Sequence, residues 1–432
     1  MKTLLLIAVR NLIQNRKRSL LLGSAIALVT LLLVMLTALF NGMQETMLRS
    51  ATTLMTGHVN VAGFFKVTSG TAAPVVTKHE AVRAVVEKAT QGITSVVVRG
   101  RGWGKVISDV SSQQAAIVGI DIDTEKGFRE VVQIKTGSMD GLREPGTMLM
   151  FDATAKRLEV KVGDKVTVSA PTFRGVNNTI DLRVVAIARD LGMFSGFNTY
   201  VHHDAIRDLF QMDASTVGAI QVYLADPDAA AEVAARLRKV VAEAGYRVMD
   251  PVSKPFWMKF QTVTREDWTG QKIDITTWMD EMQFIRYTLQ TLQALIVILG
   301  SVLLVIIVIG VMNTLWMSIR ERTREIGTLR AIGMQRGTIL RMFVLEGAVM
   351  AVLATTVGVA AATGLAAGLT AVGIVVPEAF QMFLMSETLR LIVDTKTAVG
   401  ALVLISLFTT LGALYPAWRA ARMQPVTAMH SA

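Results

Sequence analysis

Within the 432 residues, Gly100-Arg-Gly-Trp-Gly-Lys-Val106 comes nearest to a loop that could cradle phosphates. Such a loop needs Gly-x-x-x-x-Gly-Lys-Ser/Thr, so that backbone amides wrap the phosphates and a hydroxyl holds Mg²⁺. Here Arg99 stands where the first glycine belongs, and Val106 replaces the hydroxyl. The chain is therefore expected to carry no nucleotide of its own. His202-His203-Asp204 offers metal-binding residue types. Neighbours on a strand point to opposite faces, however, and no other histidine lies close in sequence, so these read as ordinary domain residues with no metal. Neither a Gly-x-Ser-x-Gly elbow nor a His-Glu-x-x-His zinc motif occurs. Cysteine is absent, which removes disulfides, thiolate metal sites and a lipid-attachment thiol. No catalytic constellation results, and the chain reads as a non-enzyme.

A different stretch is richer. In Met312–Met334, Ile319, Ile326, Leu329 and Ile332 form an apolar stripe at helical spacing, and Gly333 fits a C-terminal stop. Arg320/Arg324 and Glu321/Arg324 lie at i+4 and i+3, giving a charged face that pairs within itself. A short amphipathic helix of this kind is either an interfacial connector or a docking helix; the pattern fits both.

The surrounding elements fix the class. Composition is 52% hydrophobic and 18% charged, with mean hydropathy +0.46. Leu20–Phe40 is free of charge and, at ~1.5 Å per residue, long enough to cross a hydrocarbon core. Residues 288–319, 342–376 and 398–417 are three more apolar runs, with Glu346 the one charge among them. A soluble enzyme is excluded. The first run is too long for a signal peptide and reads as an uncleaved anchor.

The net charge of +10 has a place as well. Lys2, Arg10, Arg16, Lys17 and Arg18 precede the first span, six arginines fill 320–341 against Glu321 and Glu325, and Arg419 and Arg422 follow the last span. Residues 41–285 balance 28 basic against 28 acidic side chains. Basic loops stay in the cytoplasm, so both termini and 320–341 are expected inside, with 41–285 and 377–397 outside. The basic excess is a topology signal, not a nucleic-acid patch.

The expected architecture is an α-helical membrane protein with four transmembrane helices and a large extracytoplasmic mixed α/β domain between the first two. Residues 1–19 form an amphipathic inner-surface helix that can meet lipid phosphates, and 418–432 form a cytoplasmic tail. Strand-like runs are His58–Val61, Thr94–Arg99, Ala115–Ile120, Lys165–Ala170, Leu182–Ala188 and Ala219–Leu224. Helical patterns are Lys78–Ala89, Asp204–Gln211 and Asp228–Glu243, and a subdomain is inserted over about 121–214. Helical spacing persists at Phe40, Met43 and Met47, and again at Ile275, Met279, Met282 and Ile285, which suggests two stalk helices. Those six side chains other than Ile275 either pack the stalks or line a soft apolar cavity at the outer leaflet. Ala360, Gly364 and Gly368 make a small-residue face, for packing within one subunit or between two. Glu346 snorkels or pairs with Arg341.

The string RERTREIGTLRAIGM, followed by ILRMFVLEG, resembles the coupling region of the FtsX-like permease superfamily, which includes MacB-type efflux pumps and the lipoprotein-releasing Lol permeases. Ile117–Glu125, Leu158–Val166 and Tyr415–Met429 are similar to other parts of that family. The resemblance implies that Arg320, Glu321, Arg322, Arg324, Glu325, Leu329 and Arg330 dock on an ATP-binding-cassette ATPase, with Arg324 and Glu325 foremost. It implies ATP and Mg²⁺ held by a separate ATPase present in two copies, and a second permease copy or paralogue. The large domain would be periplasmic and the protein a multi-pass component of the inner membrane. The expected function is release of lipoproteins or other lipidated substrates from the outer leaflet, passed to a periplasmic lipoprotein carrier. The alternatives are MacB-like efflux with a membrane-fusion adaptor, and FtsX-like activation of a cell-wall hydrolase.

Overall fold

A computed structural model describes residues 2–423 except 15, 69, 174, 378–379 and 382–383. The tail beyond 423 lies outside the described residues. In chain order come α1 (Lys2–Gln14), α2 (Arg16–Ala51), a π-helical turn (Thr52–Thr56), β1 (Val59–Lys66), α3 (His79–Ala89), β2 (Ile93–Ile107) and β3 (Ser112–Ile120). Next are α4 (Lys126–Val131), β4 (Ile134–Gly137), β5 (Thr147–Phe151), α5 (Asp152–Leu158), β6 (Lys165–Pro171), β7 (Asn177–Ala188), β8 (Asn198–His202) and α6 (His203–Phe210). Then follow β9 (Ala219–Leu224), α7 (Ala230–Glu243), α8 (Phe256–Arg265), β10 (Gly270–Thr277) and α9 (Trp278–Glu281). The remaining helices are α10 (Gln283–Glu321), α11 (Thr323–Ala331), α12 (Arg336–Val372) and α13 (Thr395–Ala421).

Two compact units emerge: residues 1–44, 289–375 and 388–432, and residues 45–288 with 376–387. In the first, four helices are long and apolar enough to cross a membrane. Their buried seam is Leu22 and Ile26 of α2, Val311 and Leu315 of α10, Ala354 of α12, and Ile405 and Ala413 of α13. Apolar side chains on the outward faces, such as Val297, Ile298 and Val305, are more than half exposed and suited to lipid. Close approach of α12 to α2 runs through Gly358, where a Cβ would stand 2.6 Å from the Ala27 carbonyl. The small-residue face packed within the chain is therefore Gly358, Ala362 and Ala366, all buried. Ala360, Gly364 and Gly368 are exposed instead, with nothing within 4 Å of a Cβ on either glycine. Packing of that stripe inside the subunit is corrected by the helical phase.

The second unit has two cores. Strands in the order β10-β1-β9-β2 form an antiparallel sheet. Helix α3 follows β1 and α7 follows β9, a β-α-β-β-α-β arrangement. Alternation aims Val59, Val61, Ile220, Val222, Val96 and Val98 at α3 and α7. The second core belongs to a closed ring: β2 pairs β3, β3 pairs β8, β8 pairs β5, β5 pairs β7, β7 pairs β6, and β6 returns to β2. Closure leaves no free edge among these six strands. That core starts at Val106, within β2, so the inserted part begins earlier than a boundary near 121. The 15-residue β2 serves both cores.

Residue 275 corrects the second stalk helix. Ile275 lies in β10, paired with Val61. One turn of helix and an irregular Met282 separate β10 from α10. A strand, a turn and a helix thus reproduced helical spacing by coincidence.

Candidate functional site

The segment after the second span is built to present charge. Helix α10 ends at Glu321, Arg322 leaves helical geometry at φ −98°, and α11 begins at Thr323. Ile326 and Ile319 anchor it among Ile339, Phe343 and Ala417. The break at Arg322 takes Glu321 and Arg324 off a common helix, so the expected pairing between them is replaced. Glu321 meets Arg18 at 3.1 Å. Arg322 turns inward to Glu346 at 3.4 Å, and Asn11 Nδ2 donates to the same carboxylate at 3.3 Å. Glu346 thus pairs with Arg322 and not with Arg341. Arg320, Arg324 and Glu325 are exposed, Leu329 is half-buried, and Arg330 donates to the Met334 carbonyl at 3.3 Å. Neither Arg324 nor Glu325 has an ion pair among the described residues. Ile332, expected on the inward stripe, is 80% exposed just beyond the helix end. It shares a face with Glu325 and Thr328, and its spacing alone put it on the wrong side.

Nothing in the sequence reading anticipated the second candidate, a cleft of about 1320 Å³ in the α/β unit. Its origin is the alternation in Arg99-Gly-Arg-Gly-Trp-Gly104. A Cβ on Gly100, Gly102 or Gly119 would come within 2.1–2.3 Å of Ile206 or Phe210, so glycine lets α6 lie directly on the strands. The alternate residues Arg99, Arg101 and Trp103 line the cleft. The stretch rejected as a phosphate loop is a packing device with arginines on its other face. The π-helical turn supplies another wall through Leu54, Met55 and Thr56, and closes on Gly57 at φ +65°. There a Cβ would lie 2.9 Å from the Gln221 Cβ.

Arg99 is fully committed. It makes a two-pronged ion pair with Glu125 (2.6 and 2.7 Å) and donates to the Leu54 carbonyl at 3.1 Å. Burial alone would lower the Arg99 pKa; the Glu125 charge reverses that and holds it raised. Tyr200 and Tyr223 donate to the Leu54 and Thr52 carbonyls, and burial pushes the Tyr223 phenol up to about 12. Arg101 differs: it stacks on the Phe256 ring at 3.7 Å, and its Nε has no hydrogen-bond partner. Burial lowers its pKa, with Glu281 and Asp274 opposing.

Glu281 accepts from the Thr276 hydroxyl at 2.8 Å and from the Phe256 amide at 3.2 Å. Burial raises its pKa despite Arg101. A raised folded pKa stabilises below the unfolded value and loses that contribution as pH climbs through the folded one. Glu281→Gln should therefore gain melting temperature over the parent by a margin that widens as pH rises above the ordinary carboxylate range. A margin independent of pH would contradict this.

Of the six proposed cavity residues, Phe40 and Met43 belong to the first unit, and Met47, Met279, Met282 and Ile285 to the second. Met47, Met282 and Ile285 are buried and Met279 packs on the α3/α7 core. The His202, His203 and Asp204 ligand atoms gather within 4.8 Å, because β8 ends and α6 begins between the histidines. His202 Nδ1 accepts the Asp204 amide at 3.2 Å, which caps α6.

Comparison with known proteins supplies the remaining observation. Residues 19–240 match the MacB-like periplasmic core domain model, and residues 297–425 match the FtsX-like permease C-terminal model. A macrolide export ATP-binding/permease protein, MacB 2, of Yersinia pestis bv. Antiqua (strain Antiqua) is 30% identical over 34% of this chain and 20% of its own length. A protein of the same description from Shewanella sp. (strain ANA-3) is 35% identical over the same shares. The chain thus matches only about a fifth of these relatives' length. The periplasmic region of MacB from Actinobacillus actinomycetemcomitans aligns with TM-score 0.31 and 13% identity, covering 53% of this chain and 92% of that one.

Proposed function

The chain belongs to the FtsX/MacB-type ABC-transporter permease superfamily, and on that premise we propose that it is the membrane subunit of an ATP-driven machine. An ABC ATPase docks on the face of α11 carrying Arg324, Glu325 and Ile332, and movement of this segment reaches the α/β domain. The ATP and Mg²⁺ sit in the ATPase, which is a partner chain present in two copies beside a second permease copy or paralogue. The α/β domain works outside the cytoplasmic membrane, and the termini lie inside. The single observation that supports docking is the uncommitted charge of Arg324 and Glu325 on a helix anchored by Ile326.

The substrate we favour is lipidated or amphipathic, taken from the outer leaflet, because the spans hold almost no charge for a hydrophilic path. Lipoprotein release with a periplasmic carrier is the first reading. MacB-like efflux through an adaptor is the second, and similarity to macrolide export proteins favours it.

The test is purification of the tagged protein from its native membranes with mass spectrometry of stoichiometric partners. An ATPase should co-purify, and the double reversal Arg324→Glu/Glu325→Arg should lower its yield about tenfold. Bound lipoproteins would favour release and an adaptor would favour efflux. No ATPase, or an unaffected yield in the double variant, would overturn the docking.

A further inference from the structure

The cleft of the α/β domain carries more than the docking reading uses. Its walls are aromatic: Trp103 stacks with Phe197 at 6.1 Å and 21°, Phe173 with Phe210 at 5.4 Å and 20°. From the other side α8 presents Trp257 and Phe260, 43% and 38% exposed, while Trp103 is half exposed. An apolar concavity of about 1320 Å³ exceeds the roughly 300–1,000 Å³ of most small-molecule sites, so it suits a long flexible body. A contiguous apolar surface of this kind on a folded domain marks a binding face.

Three polar groups inside it lack partners. The Arg101 Nε, the Thr172 Oγ1 and the Asn198 Oδ1 have none, although Thr172 is 4% and Asn198 0% exposed. Asn198 uses its amide nitrogen on the Met55 sulfur at 3.0 Å, which leaves the oxygen idle. Buried polar atoms are nearly always satisfied by protein or ordered water, so three that line one cleft give it places where an arriving polar group can bond. Among the described residues, the charges facing the cleft are Arg99, Arg101 and Glu281. Arg99 is neutralised by Glu125, and Glu281 is held by Thr276 and Phe256. Arg101 is the uncommitted ion among the described residues of the cleft. Stacking on Phe256 uses its flat face and leaves the edge donors for a carboxylate or phosphate.

We infer that this cleft binds an anionic amphiphile, its acyl or aromatic body between Trp103 and α8 and its carboxylate or phosphate on Arg101. As the substrate site of the proposed transport cycle it rests on that reading, yet binding requires no ATPase. A free fatty acid and a membrane lipid share the chemistry.

The experiment uses the full chain in nanodiscs and follows tryptophan quenching by dibromostearate. Saturable quenching is expected, and it should vanish in Trp103→Phe/Trp257→Phe, which removes the two cleft reporters. Arg101→Gln should bind at least about tenfold more weakly, and Arg101→Lys should recover most of that loss. The dibromostearate methyl ester should bind as weakly to the parent as the acid does to Arg101→Gln. In a second arm, nanodiscs containing dibromoacyl phosphatidylglycerol replace the acid. Quenching of the same two tryptophans there identifies bilayer lipid as the source, and its absence beside quenching by the acid identifies the free amphiphile. No saturable quenching in either arm, or equal binding of acid, ester and Arg101→Gln, would overturn the inference. Binding without ATPase co-purification would defeat the transport reading alone; an ATPase without binding would defeat this inference alone.

Discussion

Replacing Glu125 by alanine should unfold the α/β domain at temperatures where the parent is intact. Arg99 and Glu125 are 2% and 3% exposed at their side chains and bonded through both prongs. Without Glu125 the guanidinium stays buried on β2 with only the Leu54 carbonyl as acceptor. Stranding one partner of a buried pair costs about 3–5 kcal/mol, a large share of the roughly 5–15 kcal/mol that holds a domain together. For a unit of this size that corresponds to a fall of roughly 6–20 °C in its thermal transition, measurable by differential scanning of the full chain in nanodiscs.

A second variant separates burial of charge from general damage. Arg99→Met/Glu125→Leu removes both ions and keeps the volume. The Leu54 carbonyl keeps a donor, because the Tyr200 hydroxyl also reaches it at 3.0 Å. The double variant should therefore recover most of the lost stability. If Glu125→Ala melts within about 2 °C of the parent, the buried pair does not stabilise the domain. If the double variant is as unstable as the single one, the loss comes from packing instead of stranded charge.

That pair also shows why some of the fold was legible in sequence and some was not. The four spans follow from charge-free runs, because hydrocarbon tolerates almost nothing else. Short runs rich in β-branched and apolar residues, such as Leu182–Ala188 and Ala219–Leu224, are legible as strands. Thr147–Phe151 and Asn198–His202 are buried at every position, so no alternation marks them. In β10 the buried Asp274 is matched by Lys259 at 2.8 Å, from a helix fifteen residues upstream. A charge inside a strand argues locally against burial, and only the tertiary pair reverses that.

The cleft was hidden for a related reason. Arg99, Arg101 and Trp103 at every second position, with glycine between, mark a strand whose one face must admit a close neighbour. As a phosphate loop the same residues lack the first glycine and the hydroxyl, and that comparison hides their period. The signal that could have found them is the period of two. The segment after the second span was legible in its anchor, Ile326, and in the charged face that includes Arg324. Its break at Arg322 was not, since the partner Glu346 lies 24 residues further on.

The break at Arg322 leads to the second large effect. Glu346 of α12 receives Arg322 from the junction of α10 and α11, and Asn11 from α1. Arg18 meanwhile holds Glu321 and donates to the Thr314 carbonyl. The junction of α10 and α11 is therefore tied by charge to α2 and α12, while Arg324 and Glu325 on α11 have no ion pair among the described residues. A tether and a docking face fail differently. Arg324→Glu/Glu325→Arg should lower the yield of bound ATPase about tenfold. Glu346→Ala should leave the ATPase bound but lower substrate-stimulated hydrolysis about tenfold or more, within the 1–3 kcal/mol typical of coupling between sites. The swap Arg322→Glu/Glu346→Arg should recover part of that stimulation, whereas either single reversal should not, because the pair is bonded at 3.4 Å with both side chains largely covered. Equal stimulation in Glu346→Ala and the parent would show that α11 transmits force without this tether. Loss of the ATPase itself would show that Glu346 shapes the docking face, and the separation of the two roles would then be wrong.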